Sequence, residues 1–251
     1  MRLFLASCLH RFLHLCYVIY RRGGKPHPDY LPEIVVSTRH RFVYCGVPLV
    51  GTQTFLDIFI RRPRIQGARL HRRTMEHVLA LDPEFGTYLK FGIVRNPWSR
   101  VVSCYERVIR NAYSKDKLFS IRTVKDIGQI CLHRGLYPQM YFNEFVEWLC
   151  SEEGSDDIAN RHWMSQYRFL TSGDGKIQCD LLLRLENLKA ELRPVFERLN
   201  IYIGELPIKN ATADMVIRPL HRHFRDYYNV ATANAIRDRY HRDIELFDYH
   251  F

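Results

Sequence analysis

Residues 42–60 read FVYCGVPLVGTQTFLDIFI, and the composition changes twice along this stretch. The first residues are β-branched and aromatic, which favours a strand. Turn-forming residues follow between Gly46 and Thr54, and the mostly apolar run over 55–60 predicts a helix that ends before Pro63. We interpret the segment as a strand, a loop and a helix in succession.

A second unit of the same kind follows further along the chain. Residues 88–94 form a short apolar run typical of a buried strand, Asn96 and Pro97 interrupt it, and residues 98–109 resume helical spacing. This alternation predicts an α/β fold with three layers, in which helices flank a central parallel sheet. Further strands are predicted at residues 34–36 and 181–185, and further helices at 142–149, 188–199 and 232–247.

Length and composition are those of an ordinary folded protein. At about 150 residues per domain, 251 residues make fewer than two domains, and we expect one domain over residues 31–251. The 47% hydrophobic content excludes a disordered or collagen-like chain. An excess of 37 Lys and Arg over 27 Asp and Glu gives a net charge of +10, which favours anionic partners.

The N-terminal residues 1–30 are expected to be an amphipathic segment followed by a linker. His10, Arg11 and His14 interrupt the apolar residues 3–20, so no run is long enough to span a membrane. The segment is expected to pack on the domain or, alternatively, to make peripheral membrane contact through residues 1–22. We therefore expect a cytoplasmic protein, membrane-associated in the second case, with the Golgi lumen as the alternative if the protein is eukaryotic.

The seven cysteines are scattered along the chain, and none forms a CxxC pair. This distribution gives little support to a zinc site or to a dense disulfide framework. We expect reduced thiols and no metal.

The loop after the first strand is a candidate anion site. Backbone amides and a helix N-terminus meet at such a position, and Gly51 lets the main chain approach a phosphate closely. Thr52 and Thr54 add hydroxyl groups. An ordinary threonine-capped turn is the alternative, because the Gly-Lys-Thr of the longer Walker pattern is absent.

A second candidate anion contact follows the next strand. Arg95 stands at the carboxyl end of that strand, where open α/β sheets bind ligands, and can form a bidentate pair with a phosphate. Ser103 lies one to two turns into the following helix and offers another donor. A structural salt bridge of Arg95 is the alternative. Two such sites on neighbouring strands suit a nucleotide with a phosphate at each end.

Residues 42–54 and 90–103 resemble the two nucleotide-binding motifs of the sulfotransferases that use 3'-phosphoadenosine 5'-phosphosulfate, in particular the carbohydrate branch and its bacterial relatives. The resemblance continues over about residues 40–251 and implies a P-loop-like nucleotide-binding fold, that donor, and a hydroxyl acceptor on a carbohydrate. It implies donor contacts from the first loop, from the second motif, and from a loop that closes over the nucleotide: Pro48, Gly51, Thr52, Gln53, Thr54, Arg95, Ser103 and Arg218, with Arg222 nearby.

Leu49 departs from the family pattern, which has lysine after the proline. In the family, that lysine stabilises the charge that develops on the leaving phosphate, and losing one such donor costs about a hundredfold or more in rate. We expect either that another cation, such as Arg61 or Arg72, replaces the lysine or that the chain is a weak or inactive module that binds nucleotide or glycan.

A base must remove the proton of the acceptor hydroxyl, and histidine suits that role near neutral pH. His71 is the candidate, because it stands between the two motifs and its arginine neighbours could hold an acidic sugar. Glu76 and His77 are the alternatives for the base, and His162 is a candidate acceptor contact. No nucleic-acid motif is found, so we expect no nucleic-acid partner. A nucleoside-triphosphate enzyme remains a third possibility.

Overall fold

A computed structural model describes residues 31–61, 65, 67–109, 135–137, 140–157, 159–202, 216–217 and 222–251. The predicted N-terminal segment, residues 1–30, and the predicted ligand residue Arg218 lie outside the described residues. For Gln53, Thr54, Arg61 and Arg222 only the backbone is described. No helix among the described residues is long and apolar enough to cross a membrane.

The strands are β1 (Glu33–Ser37), β2 (Phe42–Gly46), β3 (Ala68–Arg72), β4 (Leu89–Val94), β5 (Leu181–Arg184), β6 (Val216–Ile217) and β7 (Arg222–His223). The α-helices are α1 (Thr52–Leu56), α2 (Met75–Leu79), α3 (Pro97–Cys104), α4 (Phe142–Leu149), α5 (Tyr167–Leu170), α6 (Leu188–Arg198), α7 (Val230–Arg239) and α8 (His241–Phe247). Helices α1 and α3 continue as the π-helical turns Asp57–Arg61 and Tyr105–Ile109. Short 3-10 helices cover Pro83–Thr87, Glu152–Gly154, Leu185–Asn187 and Phe224–Tyr227.

The main sheet has five strands in the order β3-β1-β2-β4-β5, and it is mixed. Strands β2, β4 and β5 are parallel to one another, but β1 is antiparallel to both β2 and β3. The expectation of a parallel sheet is therefore wrong for its β1 side. Four residues join β1 to β2, and so short a connection can only form a hairpin, since a parallel pair needs a long crossover.

Strand β3 was not predicted from the sequence. Its residues, ARLHR, are mostly exposed or half-buried, so they carry no apolar alternation. The strand lies at the edge of the sheet, where one side of its backbone has no neighbour, and backbone pairing with β1 holds it there.

Helices cover both faces of the sheet, as predicted. Tyr44 stacks on Phe55 of α1 with ring centroids 5.3 Å apart, on the face that also carries Phe42 and Phe91. On the opposite face, the Cys45 thiol donates to the Phe169 carbonyl of α5 at 3.1 Å. Successive residues of a strand point to opposite faces, so these contacts define three layers.

The candidate site lies at one end of the strands, and 'this edge' means that end of the sheet and not the outer strand β3. The carboxyl ends of β2, β3 and β4 meet there, together with the first residue of β1. The register sets Arg72, Glu33 and Gly46 in one row across this edge. The two predicted anion motifs follow β2 and β4 and so leave the sheet at the same edge.

Candidate functional site

Three side chains hold the loop after β2 from one side. The carbonyl oxygen of Val47 accepts a hydrogen bond from the Thr52 hydroxyl. The next carbonyl, that of Pro48, accepts from Arg100 Nε at 3.1 Å, and that of Leu49 accepts from Arg95 Nη1 at 3.2 Å. Three consecutive carbonyl groups are therefore turned toward the interior.

This arrangement turns loop amides in the opposite direction. In a trans peptide the carbonyl of one residue and the amide of the next are antiparallel, so the N–H groups of Leu49 and Val50 face away from the two arginines. Leu49 and Gly51 have positive φ values of 67° and 83°, which produce the sharp turn. Leu49 is partly exposed, whereas Val50 is fully buried, so the Leu49 amide is the group placed to meet the anion predicted for this loop.

Gly46 is required where the loop begins. A Cβ atom at this position would lie 2.7 Å from the Glu33 carbonyl oxygen and 2.9 Å from Thr52 Cγ2. Both distances are shorter than a van der Waals contact. The lack of a side chain therefore lets the first residue of α1 approach the sheet.

Arg95 follows β4 and is held at its backbone and at its side chain. Gln166 accepts from the Arg95 amide at 2.9 Å through Oε1 and donates to the Arg95 carbonyl at 2.8 Å through Nε2. The Arg95 Nε group donates to the Ser99 hydroxyl at 3.0 Å. Together with the bond to the Leu49 carbonyl, these contacts connect the two predicted anion motifs.

Arg95 keeps its charge in this setting. Burial lowers the pKa of Arg95 to about 10, and the nearby Glu186 carboxylate opposes that shift. The guanidinium thus stays protonated at neutral pH. Ser103 lies on α3 and is half-buried.

Asn96 starts helix α3 and anchors it to the rest of the fold. Its side chain accepts from the Ser99 amide at 3.1 Å and donates to the His250 carbonyl at 2.9 Å. Its own amide donates to Glu186 Oε1 at 2.7 Å. Because Pro97 occupies the first helical position, where no amide partner is needed, the sequence begins a helix here.

Asp243 lies behind the Arg95 contacts and is fully buried. Its two carboxylate oxygens accept from the amides of Gln166 and Tyr167, each at 2.8 Å. It therefore caps the start of α5. Burial raises the pKa of Asp243 to about 6, and the two amide bonds counteract part of the shift.

His71, the predicted base, lies on the edge strand β3 and pairs with Ile34. It is half-buried, and burial together with Arg73 and Arg69 lowers its pKa, which favours the neutral form that a base requires. Strand β1 separates it from β2, which places the two backbones about 10 Å apart at the usual strand spacing. The structure brings His71 to the correct edge of the sheet without contact to the loop.

The other predicted residues have local partners. His77 Nδ1 lies 2.6 Å from the hydroxyl of Thr74, the residue that caps α2. His162 Nδ1 lies 2.7 Å from Asn160 Oδ1. Arg72 is mostly exposed and lies 3.7 Å from Glu33. Among the described residues, no group of three or more His, Cys, Asp or Glu side chains is placed to hold a metal ion.

An open cavity of about 480 Å³ lies on the α5 side of the same edge. Polar and aromatic side chains line much of it, and Arg242 stacks over the Tyr167 ring at 4.3 Å. Glu76 also lines this cavity, but none of the predicted nucleotide residues that the structure describes does. The lining residues that matter here are Thr74, Glu76, Tyr167, Ser172, Gln178 and Arg242.

Three residues with clear roles in the structure were not predicted from the sequence: Arg100, Gln166 and Glu186. Arg100 is 2% exposed and donates to the carbonyls of Pro48, Met164 and Arg161. Glu186 accepts a hydrogen bond from the Asn96 amide, and Gln166 bonds the amide and the carbonyl of Arg95, so both residues fix the backbone of the second motif. Local patterns could not reveal these roles, because hydrogen bonds between residues about 70 to 90 positions apart leave no local pattern.

The chain is similar in sequence to several known proteins. Carbohydrate sulfotransferase 14 from Danio rerio is 25% identical over 198 residues, which cover 67% of this chain and 48% of the relative. Carbohydrate sulfotransferase 14 from Mus musculus is 26% identical, with 66% of this chain and 46% of the relative covered. Carbohydrate sulfotransferase 11 from Rattus norvegicus is 25% identical, with coverage of 56% and 46%. No solved structure matches the chain.

The chain thus spans about half the length of the curated relatives it matches. A family description, "Sulfotransferase family", matches residues 32–250, a range that begins just before β1 and ends after α8. This match confirms the resemblance inferred from residues 42–54 and 90–103. The chain belongs to the sulfotransferase family.

Proposed function

We propose that this chain transfers a sulfuryl group from 3'-phosphoadenosine 5'-phosphosulfate to a hydroxyl group of a carbohydrate. Family membership and the names of the similar proteins support the reaction class and the acceptor. The observation that carries the proposal is the bond between Arg95 and the Leu49 carbonyl, since it joins a partly buried guanidinium to the loop at one edge of the sheet.

The residues present fit such a donor. The amide of Leu49, the partly exposed residue of the turn, suits the phosphate at the sulfuryl-bearing end, and Gly51 and Thr52 shape that turn. Arg95 keeps further N–H groups beyond those bonded to Ser99 and Leu49, and with Ser103 it suits the phosphate at the other end. All of the donor assignments remain predictions, those of Pro48, Gln53, Thr54 and Arg218 included.

The donor supplies an activated sulfuryl group, whose bond to the bridging oxygen breaks as a bond to the acceptor oxygen forms. The protein must therefore position the acceptor, neutralise the charge that the departing bisphosphate gains, and take up one proton from the acceptor hydroxyl. His71 is proposed to accept that proton, because its lowered pKa keeps it neutral at pH 7. The proposed acceptor is acidic, since Arg72 and Arg73 flank this histidine.

Calorimetric titration with adenosine 3',5'-bisphosphate in the presence of EDTA tests the nucleotide site. The wild type is expected to bind, and Arg95→Ala to weaken binding about a hundredfold, because a charge-assisted bidentate contact is lost. Arg193→Ala is the matched control, since Arg193 is exposed and its one ion pair among the described residues is with Glu197, one helical turn away. A wild type that ignores the bisphosphate would overturn the proposal.

Transfer itself is tested with labelled donor and a panel of acidic and neutral glycans. Labelled product is expected with wild type, and His71→Ala is expected to retain bisphosphate binding but lose turnover. The rate should rise with pH through a value below the ordinary histidine pKa and then level off, because only neutral His71 accepts a proton. Turnover by His71→Ala equal to that of the wild type would remove this role.

A non-catalytic module that binds nucleotide or glycan is the second candidate. The observation that favours it is Leu49, because an aliphatic side chain occupies the position where the family carries a lysine. Tight bisphosphate binding without transfer to any acceptor of the panel would support this candidate over the enzyme.

A further inference from the structure

A buried carboxylate stands beside the candidate anion loop. Glu33 is 5% exposed, and its side chain faces two guanidinium groups. Arg72 Nη2 lies 3.7 Å from Glu33 Oε1, and Arg161 Nη2 lies 3.6 Å from Glu33 Oε2. Two cations and one anion leave a local charge of +1 at this position.

The cluster of Glu33, Arg72 and Arg161 adjoins the loop through Glu33 and through Arg161. The Glu33 Cβ atom lies 3.5 Å from the point where a Cβ on Gly46 would stand, immediately before the loop. The carbonyl of Arg161 accepts from Arg100 Nη2 at 3.4 Å, and Nε of the same Arg100 donates to the Pro48 carbonyl. The side chain of Arg161 is therefore held through Glu33 and its main chain through Arg100.

The ion pairs in the cluster contain no hydrogen bond between Glu33 and either arginine. Both separations exceed hydrogen-bond distance, and within the described part of the chain neither Glu33 Oε2 nor Arg161 Nε has a hydrogen-bond partner, although both atoms are buried. Buried polar atoms are almost always bonded, and each unmet one costs about 1–3 kcal/mol. Such a group is suited to receive a further charged partner.

Arg161 is better placed than Arg72 to act on a bound group. Its side chain is 20% exposed, whereas that of Arg72 is 68% exposed. A partly buried cation is less screened by water, and a held side chain loses less conformational entropy when it binds. Arg161 also borders the loop through Arg100, a link for which Arg72 has no counterpart among the described contacts.

We propose that Arg161, held in place by Glu33, supplies at the sulfuryl group the positive charge that Leu49 cannot supply. The inference rests on the proposed sulfuryl transfer. Arg161 would donate to the sulfuryl and bridging oxygens as the bridging oxygen takes up the electron pair of the broken bond. Glu33 is a positioning residue, and its negative charge keeps the two guanidinium groups together at the mouth of the loop.

The test compares Arg161→Ala, Leu49→Lys and the double variant in donor binding and labelled transfer. Arg161→Ala is expected to lower turnover about a hundredfold, the effect of removing one transition-state donor. It should change the affinity for adenosine 3',5'-bisphosphate less than threefold, because that ligand lacks the sulfuryl group. Leu49→Lys should restore turnover at least tenfold in the Arg161→Ala background, since a cation then reaches the same group from the loop.

Glu33→Gln provides an independent variant. It keeps the shape of the side chain and removes its charge, so turnover is expected to fall about tenfold while the bisphosphate still binds. Arg193→Ala is again the control, and the bisphosphate titration reports whether each variant is folded. Arg161→Ala with wild-type turnover, or with no rescue by Leu49→Lys, would overturn the role of Arg161. A wild type that neither binds nor transfers would instead reject the proposed function.

Discussion

The two ends of the candidate site are built in opposite ways. In the loop after β2, side chains hold the backbone: Thr52, Arg100 and Arg95 bind three successive carbonyls, and the amides are left to face a ligand. After β4, other groups hold a side chain in position, because Gln166 bonds the Arg95 backbone and Ser99 bonds its guanidinium. Nucleotide binding should therefore tolerate a change of the side chain at position 49, whereas it should not tolerate a change of the Arg95 side chain.

The largest effect is expected from Arg100→Ala, which removes the main support of the loop. Arg100 is 2% exposed, and three carbonyl groups would lose a buried donor. At about 1–3 kcal/mol for each buried group left unmet, we expect the free energy of unfolding to fall by about 3 kcal/mol or more. Urea denaturation measures the change. A loss below about 1 kcal/mol would show that the loop does not depend on this arginine.

Asp243 binds the Gln166 amide, and Gln166 in turn bonds Arg95. The contribution of Asp243 to the free energy of unfolding is expected to depend on pH. Its folded pKa of about 6 lies above the unfolded value near 3.9, so its contribution to stability is fully present below about pH 4 and is lost as the pH rises through 6. The difference in unfolding free energy between wild type and Asp243→Asn should change by about 2–3 kcal/mol between pH 4 and pH 8, in favour of the wild type at low pH. Urea titrations at both pH values measure it, and a constant difference would contradict the assignment.

Arg95→Lys tests whether bisphosphate binding after β4 depends on the positive charge alone or also on the planar guanidinium. Lysine keeps the positive charge but lacks the planar fork that reaches Ser99, the Leu49 carbonyl and a phosphate together. We expect bisphosphate affinity to fall about tenfold, between wild type and Arg95→Ala. Calorimetry decides the matter, and an unchanged affinity would mean that charge alone suffices there.

Leu49→Ala should have the smallest effect on nucleotide binding. The contact of Leu49 with Arg95 uses its carbonyl group, and its amide is the proposed donor, so neither depends on the side chain. We expect bisphosphate affinity within threefold of wild type. A tenfold loss in the same titration would show that the leucine side chain itself shapes the site, and the contrast between the two ends would fail.

Local patterns were enough to predict most of the elements. Strands β4 and β5 and helix α4 fall within one residue of their predicted bounds, and the predicted helix over 232–247 is divided into α7 and α8 at Tyr240. Such predictions succeed because an apolar run bounded by turn residues reflects burial on one face. Strand β3 has no such run, and the direction of β1 depends on the length of a turn, so these two features were missed.

The sequence by itself determined the alternation of strands and helices, the two motifs after β2 and β4, and the absence of a lysine at position 49. Only the tertiary structure decided that Arg95 bonds the first loop, that Asp243 caps α5, and that Arg161 meets Glu33. The physical reason is the distance along the chain over which each kind of interaction acts. Hydrophobic periodicity and turn propensity act over a few neighbouring residues, whereas these contacts join residues 46 to 128 positions apart and exist only once the sheet has brought them to one edge.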